Sequence, residues 1–233
     1  SVLGVDLPRL AESVRQELAG TDICISSIGV YGNPLADDEK GLNTRKSFQT
    51  LIETAHLFGT DLVTGFSGAV EGKSVEDSLE KYCQIFGELG ALAQEKGVRI
   101  AFENCAADGT WNHLGCNMAF HPKAWELMFE ALPLDNIGLQ WEPCHQIVQL
   151  IDPIPQLRKW AKRIFHVHGK DATIARDVIV ENGIYSSVPW CWHRTPGFGD
   201  SNWADIISIL MMNGFTGCID IEGWHDPVYR GDL

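Results

Sequence analysis

The segment FHVHGKD, Phe165–Asp171, sets two histidines at i and i+2 with Lys170 and Asp171 directly behind them. In a strand, neighbouring side chains face opposite ways, whereas i and i+2 share a face. His166 and His168 therefore point the same way at different depths, with His168 nearer the strand end and Lys170 past it. Three other short apolar segments also finish in a side chain able to bind a metal ion. VRIAFEN carries Glu103, NIGLQWEP carries Glu142 with His145 three residues on, and GCIDIEG carries Glu222. From Glu103 through Glu142 and His168 to Glu222 the spacings are 39, 26 and 54 residues. Carboxylates and imidazole together suit a divalent ion such as Mn²⁺, Mg²⁺, Co²⁺ or Zn²⁺. A single glutamate of this kind is most simply a surface charge. Four metal-competent residues on successive strand ends become a site if those ends meet. No cysteine pair has C-x-x-C spacing, which argues against a structural zinc site.

The elements that must position these residues alternate. Strand-like runs cover Ile23–Val30, Asp61–Gly68, Val98–Asn104, Asn136–Pro143, Arg163–Asp171 and Gly217–Gly223, with a weaker signal around Ser187–Arg194. Helical patterns cover Pro8–Leu18, Arg45–Gly59, Ser74–Gly97, His121–Leu132, Pro153–Lys162 and Asn202–Phe215. Ser74 is the expected N-cap of its helix, Gly59 and Gly97 are helix stops, and Pro122 opens the helix that follows it. Repeated β-α alternation with apolar strands implies a parallel sheet covered by helices. No G-x-G-x-x-G follows the first strand, which disfavours a doubly wound dinucleotide fold. The expected fold is α/β, a (β/α)8 TIM barrel forming one domain over residues 1–233. Because the pattern begins in a helix and ends just after a strand, the chain is expected to lack the barrel's first strand and last helix. The 39- and 26-residue spacings then span one β-α unit each. The 54-residue spacing spans about two, with the weak strand between. All strand C-termini meet at one face of such a barrel, where active sites sit.

Composition narrows the class. The net charge is -13, from 31 acidic and 18 basic residues. That balance argues against gripping phosphate backbones and is compatible with a small-molecule enzyme that also holds a cation. No apolar run of about 18 residues predicts a transmembrane helix. SVLGVDLPRL lacks the basic region and apolar core of a signal peptide. The seven cysteines are scattered and odd in number, so buried free thiols in a reducing cytoplasm are expected.

FEN, WEPCH, HVHGKD and DIEGWHDP, in this order, resemble the xylose isomerase-like barrel superfamily of sugar and sugar-phosphate isomerases and epimerases. The likeness runs from Ile23 to Pro227. It implies one divalent metal ion held by Glu103, Glu142, His168 and Glu222. The family's second ligand is usually Asp in a D-P-x-H type motif, so Glu142 is a departure by one methylene. The resemblance also implies that the metal polarises a substrate carbonyl, that Glu103 and Glu222 move the proton as an acid/base pair, and that His145 contacts the substrate oxygen near the carbonyl. Lys170 would bind a substrate hydroxyl or phosphate, or else pair with Asp171 or Glu103. His193 and Arg194 suit a polyhydroxylated or anionic ligand, or else are solvated loop residues. Trp111, Trp190, Trp192 and Trp224 could wall a sugar pocket, whereas Trp141 reads as core. His166 and His225 read as supporting residues, and His113 and His121 receive no role.

The expected function is a divalent-metal-dependent isomerase or epimerase acting on a sugar or sugar phosphate through an enediolate. The alternative is a metal-dependent lyase of inosose dehydratase type, with the same chemistry but loss of a hydroxyl. An abasic-site endonuclease would need several zinc ions and a basic groove, against the charge. A non-catalytic sugar-binding protein would not need the acid/base glutamates. The expected partner is a small carbohydrate, with no nucleic acid and no membrane, and a homo-oligomer is compatible with the sequence.

Overall fold

The computed structural model describes residues 2–223 and 225–228. The chain divides into two compact units, Ser1–Gln140 and Trp141–Leu233.

The first unit runs α1 (Leu7–Leu18), β1 (Ile28–Val30), α2 (Glu39–Thr54), a 3₁₀ turn (Ala55–Phe58), β2 (Leu62–Gly65), α3 (Val75–Glu95), β3 (Arg99–Glu103), α4 (Pro122–Ala131) and β4 (Ile137–Trp141), whose last residue opens the second unit. Neighbouring strands are parallel. Val63 lies opposite Ile28 and Ile100, and Ile100 opposite Ile137. Every residue of β2 and β4 is buried, as expected for strands covered on both faces. Local chemistry sets the helix starts. Asp38 accepts from the Gly41 amide at 2.8 Å and starts α2 at Glu39, ahead of the expected Arg45. Ser74 accepts from the Asp77 amide at 3.1 Å, as its spacing predicts. His121 caps α4 through Nδ1, 3.1 Å from the Lys123 amide, which gives that histidine a structural role. Gly59 and Gly97 take positive φ where the helices stop. The core is an aromatic cluster of Phe48, Tyr82, Phe86 and Phe102, with ring centroids 4.7–6.0 Å apart. β1 is shorter than the expected Ile23–Val30. Ile23 is 65% exposed, so the start of that run has no apolar environment to hold it in a strand.

The second unit contains α5 (Cys144–Ile147), α6 (Pro153–Trp160), a 3₁₀ turn (Ala161–Arg163), β5 (Ile164–Gly169), β6 (Asp171–Ile174), α7 (Arg176–Asn182), β7 (Cys191–Arg194), α8 (Trp203–Met212) and β8 (Ile219–Ile221). Two expectations are corrected here. The segment Arg163–Asp171 is not one strand, because it breaks at Lys170 into β5 and β6. The weak strand is not a barrel strand, because β7 pairs antiparallel with β6, Asp171 opposite Arg194 and Ile174 opposite Cys191. β8 instead pairs directly and in parallel with β5, Val167 opposite Ile219 and His168 opposite Asp220. The 54-residue interval is therefore a hairpin excursion followed by α8. β7 is half-exposed and polar, unsuited to burial on both faces of a parallel sheet, and folds back on its near neighbour instead.

Asp171 fastens this excursion. Its Oδ1 accepts from the Ala172 amide at 2.8 Å and the Ser201 amide at 3.0 Å. Its Oδ2 accepts from the Gly197 and Gly199 amides at 3.2 and 3.3 Å, and from Trp203 Nε1 at 3.0 Å. A Cβ on Gly199 would strike the Asp171 carboxylate and the Ala172 carbonyl, so only glycine permits the approach. Among the described residues, no helix is long and apolar enough to cross a membrane. Replacing Asp171 with Ala removes the buried acceptor that these five donors share. The expected cost is about 3–5 kcal/mol, read as a lowered urea midpoint, with Asp171→Asn losing less.

Candidate functional site

The second unit brings Glu142, His145, His168, Lys170, His193 and Glu222 together, and two local devices do most of it. The first is the turn that follows β4. The Gln146 and Ile147 amides both donate to the Pro143 carbonyl at 3.0 Å, which curls the chain into α5. Buried Trp141 donates from Nε1 to Gln146 Oε1 at 2.7 Å and locks the turn. His145 is thereby folded back, with Nε2 3.0 Å from Glu142 Oε1. From the same turn Cys144 Sγ donates to Glu142 Oε2 at 3.2 Å.

The second device is the β5–β8 register. With His168 opposite Asp220, the side chains of His166, His168, Asp220 and Glu222 share one face. Two histidine–carboxylate pairs result at successive depths. His166 Nε2 stands 3.2 Å from Asp220 Oδ2, and His168 Nδ1 stands 3.2 Å from Glu222 Oε2. The Glu222 amide donates to the Gly169 carbonyl at 3.1 Å, extending the pairing past β8. Lys170, only 3% exposed, donates from Nζ to Glu222 Oε1 at 2.7 Å and lies 3.9 Å from Glu142 Oε2. Lys170 thus pairs with Glu222, whereas Asp171 is taken up by loop amides. His225 Nδ1 lies 3.4 Å from Glu222 Oε1.

The electrostatics follow from this packing. Burial alone would raise the Glu142 carboxyl, but His145, His168 and Lys170 outweigh it and hold the group well below the ordinary carboxylate range. Glu222 is also lowered, since His168 and Lys170 overcome both burial and the Glu142 charge. Burial would lower Lys170, yet Glu142 and Glu222 outweigh it and raise the ammonium above its usual value. Burial, reinforced by His145 and Lys170, pushes His193 down to about 4, so its imidazole is neutral at pH 7. Burial raises the Cys144 thiol, with the Glu142 charge adding to it.

The remaining candidates are placed as follows. Glu103 belongs to the first unit, where it ends β3 in register with Gln140 and is 8% exposed. Buried Asn117 pins that strand end, donating to the Glu103 and Cys105 carbonyls at 2.9 and 2.7 Å. The His193 ring stands 5.4 Å from that of His145 and 5.5 Å from that of His225. Arg194 is engaged by Asp226 at 3.1 Å and Thr173 at 3.4 Å. Trp141 is core, Trp111 donates to Glu76, and Trp190 packs on Cys144, Ile147, Ala172 and Ile174. Trp224 lies outside the described residues. All seven cysteines are free, but Cys144 alone is buried. The sequence reading missed Cys144, Asp220 and Asp226. Asp220 had a signal, since it precedes Glu222 by two residues and so shares its face.

The donor set fits a divalent cation. Glu142, His168 and Glu222 offer oxygen and imidazole nitrogen at close range. Glu222 Oε2 is buried and accepts no hydrogen bond among the described residues, despite the nearby His168 nitrogen.

With this fold and donor set, the chain belongs to the xylose isomerase-like TIM barrel family, whose model matches residues 4–232. The resemblance carried by FEN, WEPCH, HVHGKD and DIEGWHDP is borne out, and with it the TIM-barrel fold. The chain is similar to an inosose dehydratase of Clostridium tetani, 27% identical over 163 residues, which is 68% of this chain and 51% of that protein. It is also similar to an inosose isomerase of Halalkalibacterium halodurans, 26% identical over 185 residues, which is 78% of this chain and 60% of that protein. The chain therefore spans about half to three-fifths of these relatives. A crystal structure of the IOLI protein with a bound zinc atom shares the fold. Its TM-score is 0.68 and its identity 21%, covering 100% of this chain and 77% of that one.

Burial and the raised thiol make Cys144 the least reactive cysteine. In native protein at pH 8, mass-spectrometric mapping of alkylation should label exposed Cys24 at least about 100-fold faster than Cys144. Unfolding should abolish the difference.

Proposed function

We propose that this chain is a divalent-metal-dependent isomerase or epimerase that moves a proton at the carbon beside a sugar's carbonyl. The observation that carries this reading is the setting of Glu222. Its carboxylate is kept ionised by His168 and Lys170 although it is largely withdrawn from water. Such a carboxylate is ionised at neutral pH and so able to accept a proton, and because its basicity is lowered the transfer would rely on a cation to acidify the carbon beside the carbonyl. In this reading Glu222 takes or returns the proton on one side and Glu103 acts on the other. The burial of Glu103 at the end of β3, in register with Gln140 two residues before Glu142, supports that role. Glu142, His168 and Glu222, with Glu103, would hold the cation. When bound, a divalent ion supplies Lewis acidity that polarises the carbonyl. The Lys170 ammonium favours negative charge developing on a substrate oxygen. His145 donates to the oxygen near the carbonyl, and neutral His193 offers a nitrogen to a hydroxyl. Arg194, through Asp226, holds the hairpin that carries His193.

A lyase of inosose dehydratase type is the second reading. The relatives named inosose dehydratase and inosose isomerase support an inosose-like substrate. His225, 3.4 Å from Glu222, adds a second imidazole that could hydrogen-bond a departing hydroxyl.

Screening ketoses, aldoses, inososes and their phosphates in D₂O with added Mn²⁺, Co²⁺, Mg²⁺ or Zn²⁺ tests both. Isomerisation should give a product that carries solvent deuterium without loss of water, and dehydration a product lighter by one water. Glu103→Gln and Glu222→Gln should each lower turnover by about 10³-fold or more with the circular dichroism spectrum unchanged. Chelation should abolish turnover and added metal should restore it. Near-normal activity in both variants sinks the assignment.

A further inference from the structure

We propose that Glu142, Cys144 and His145 form a second cation site, one that takes a thiophilic divalent ion such as Zn²⁺ through the Cys144 sulfur. One carboxyl oxygen, the Cys144 sulfur and one His145 nitrogen all lie within 4.8 Å of one another, and all three residues are buried. Two donors on one tetrahedral zinc ion, at about 2.0–2.3 Å each, stand roughly 3.5 Å apart. Cys144 Sγ and Glu142 Oε2, at 3.2 Å, lie a few tenths of an ångström inside that spacing. So do His145 Nε2 and Glu142 Oε1, at 3.0 Å. Glu142 is thus approached on both oxygens from α5, while His168 and Lys170 approach it from β5 and its end at 4.0 and 3.9 Å. A carboxylate in this position can serve one ion on each side.

The identity of the ion follows from charge and softness. Lys170 stands close to Glu142 Oε2 and disfavours a hard dication held by that oxygen alone. A thiolate adds a second negative charge, so that Glu142 and Cys144 together neutralise the ion. Thiolate with imidazole selects zinc or cobalt over magnesium or manganese. As the sulfur–metal bond forms, the Cys144 proton leaves to solvent. Occupancy also withdraws His145 from a substrate, so excess zinc should inhibit any turnover that uses it. The site depends on the geometry around α5 and not on which reaction the chain catalyses.

The test is Co²⁺ titration of the full chain, followed by absorption and by equilibrium dialysis. The wild type should develop a sulfur-to-cobalt charge-transfer band in the near ultraviolet. It should also bind one more ion per chain than Cys144→Ser, a variant that keeps a hydrogen-bond donor to Glu142. The variant should lose the band and bind that ion at least about 100-fold more weakly while retaining the other. His145→Asn should weaken the same ion yet keep the sulfur band at saturating cobalt. Absence of the band in the wild type, or its persistence in Cys144→Ser, overturns the proposal. One ion bound without the band removes the sulfur site and leaves the Glu142–His168–Glu222 centre standing.

Discussion

A fully buried carboxylate at Glu142 is the constraint from which the rest of this site follows. A charge removed from water is tolerated only where partners replace the lost hydration. Here the replacements arrive from two directions. The α5 turn folds His145 and Cys144 back onto the two carboxylate oxygens. β5 and the residue just beyond it deliver His168 and Lys170 from the other side. Lys170 is buried too and needs its own counter-charge, which Glu222 supplies at 2.7 Å. Glu222 arrives only because β8 pairs with β5 in the register that sets His168 opposite Asp220. The sequence of dependencies runs from one buried charge to a strand register.

A second set of contacts keeps that arrangement in place. His166 and Asp220 repeat the histidine–carboxylate motif one step deeper, where burial favours neutral imidazole and Asp220 opposes it. The β6–β7 hairpin is held at its open end, where Asp171 pairs with Arg194. Asp171 gathers the amides of the loop that leads into α8, and Asp226 gathers Arg194 and the Thr195 amide at 3.1 and 2.7 Å. Asp226 is 1% exposed, so this is a buried ion pair with a backbone donor added, the geometry that offsets desolvation. The hairpin in turn carries His193 toward His145 and His225. Removing the hairpin's anchors would loosen the histidines without touching Glu142.

Much of this was legible in the sequence because strands impose a period of two. That period set His166 and His168 on one face, and it sets Asp220 with Glu222. Metal-competent side chains at the ends of apolar runs marked Glu142, His168 and Glu222, and Lys170 lay past a strand end as expected. The misses have physical causes. α5 and α7 are too short to display a helical period. β7 looked like a weak barrel strand because pattern carries no information about pairing direction, and its half-exposed polar residues decide in favour of a hairpin. Arg194 and Asp226 are separated by 32 residues, and no local rule links them. Cys144 was read as one scattered thiol, although its place between Glu142 and His145 gives it two chemically relevant neighbours.

The use of Glu at position 142, where Asp is usual in the family, acquires a structural meaning from these contacts. An aspartate there would draw the carboxylate back toward β4 by one bond, about 1.5 Å. The contacts from α5 at 3.0 and 3.2 Å come from a helix that starts only two residues later, and they could follow the shorter side chain. Those at 4.0 and 3.9 Å from His168 and Lys170 come from β5 and its end, fixed by pairing with β8, and could not. Lys170 would then keep Glu222 as its counter-charge while the buried carboxylate lost its support from the β5 side. The extra methylene therefore serves to span two independently fixed parts of the second unit with one carboxylate, leaving its oxygens within reach of Cys144 and His145 on one side and of His168 and Lys170 on the other.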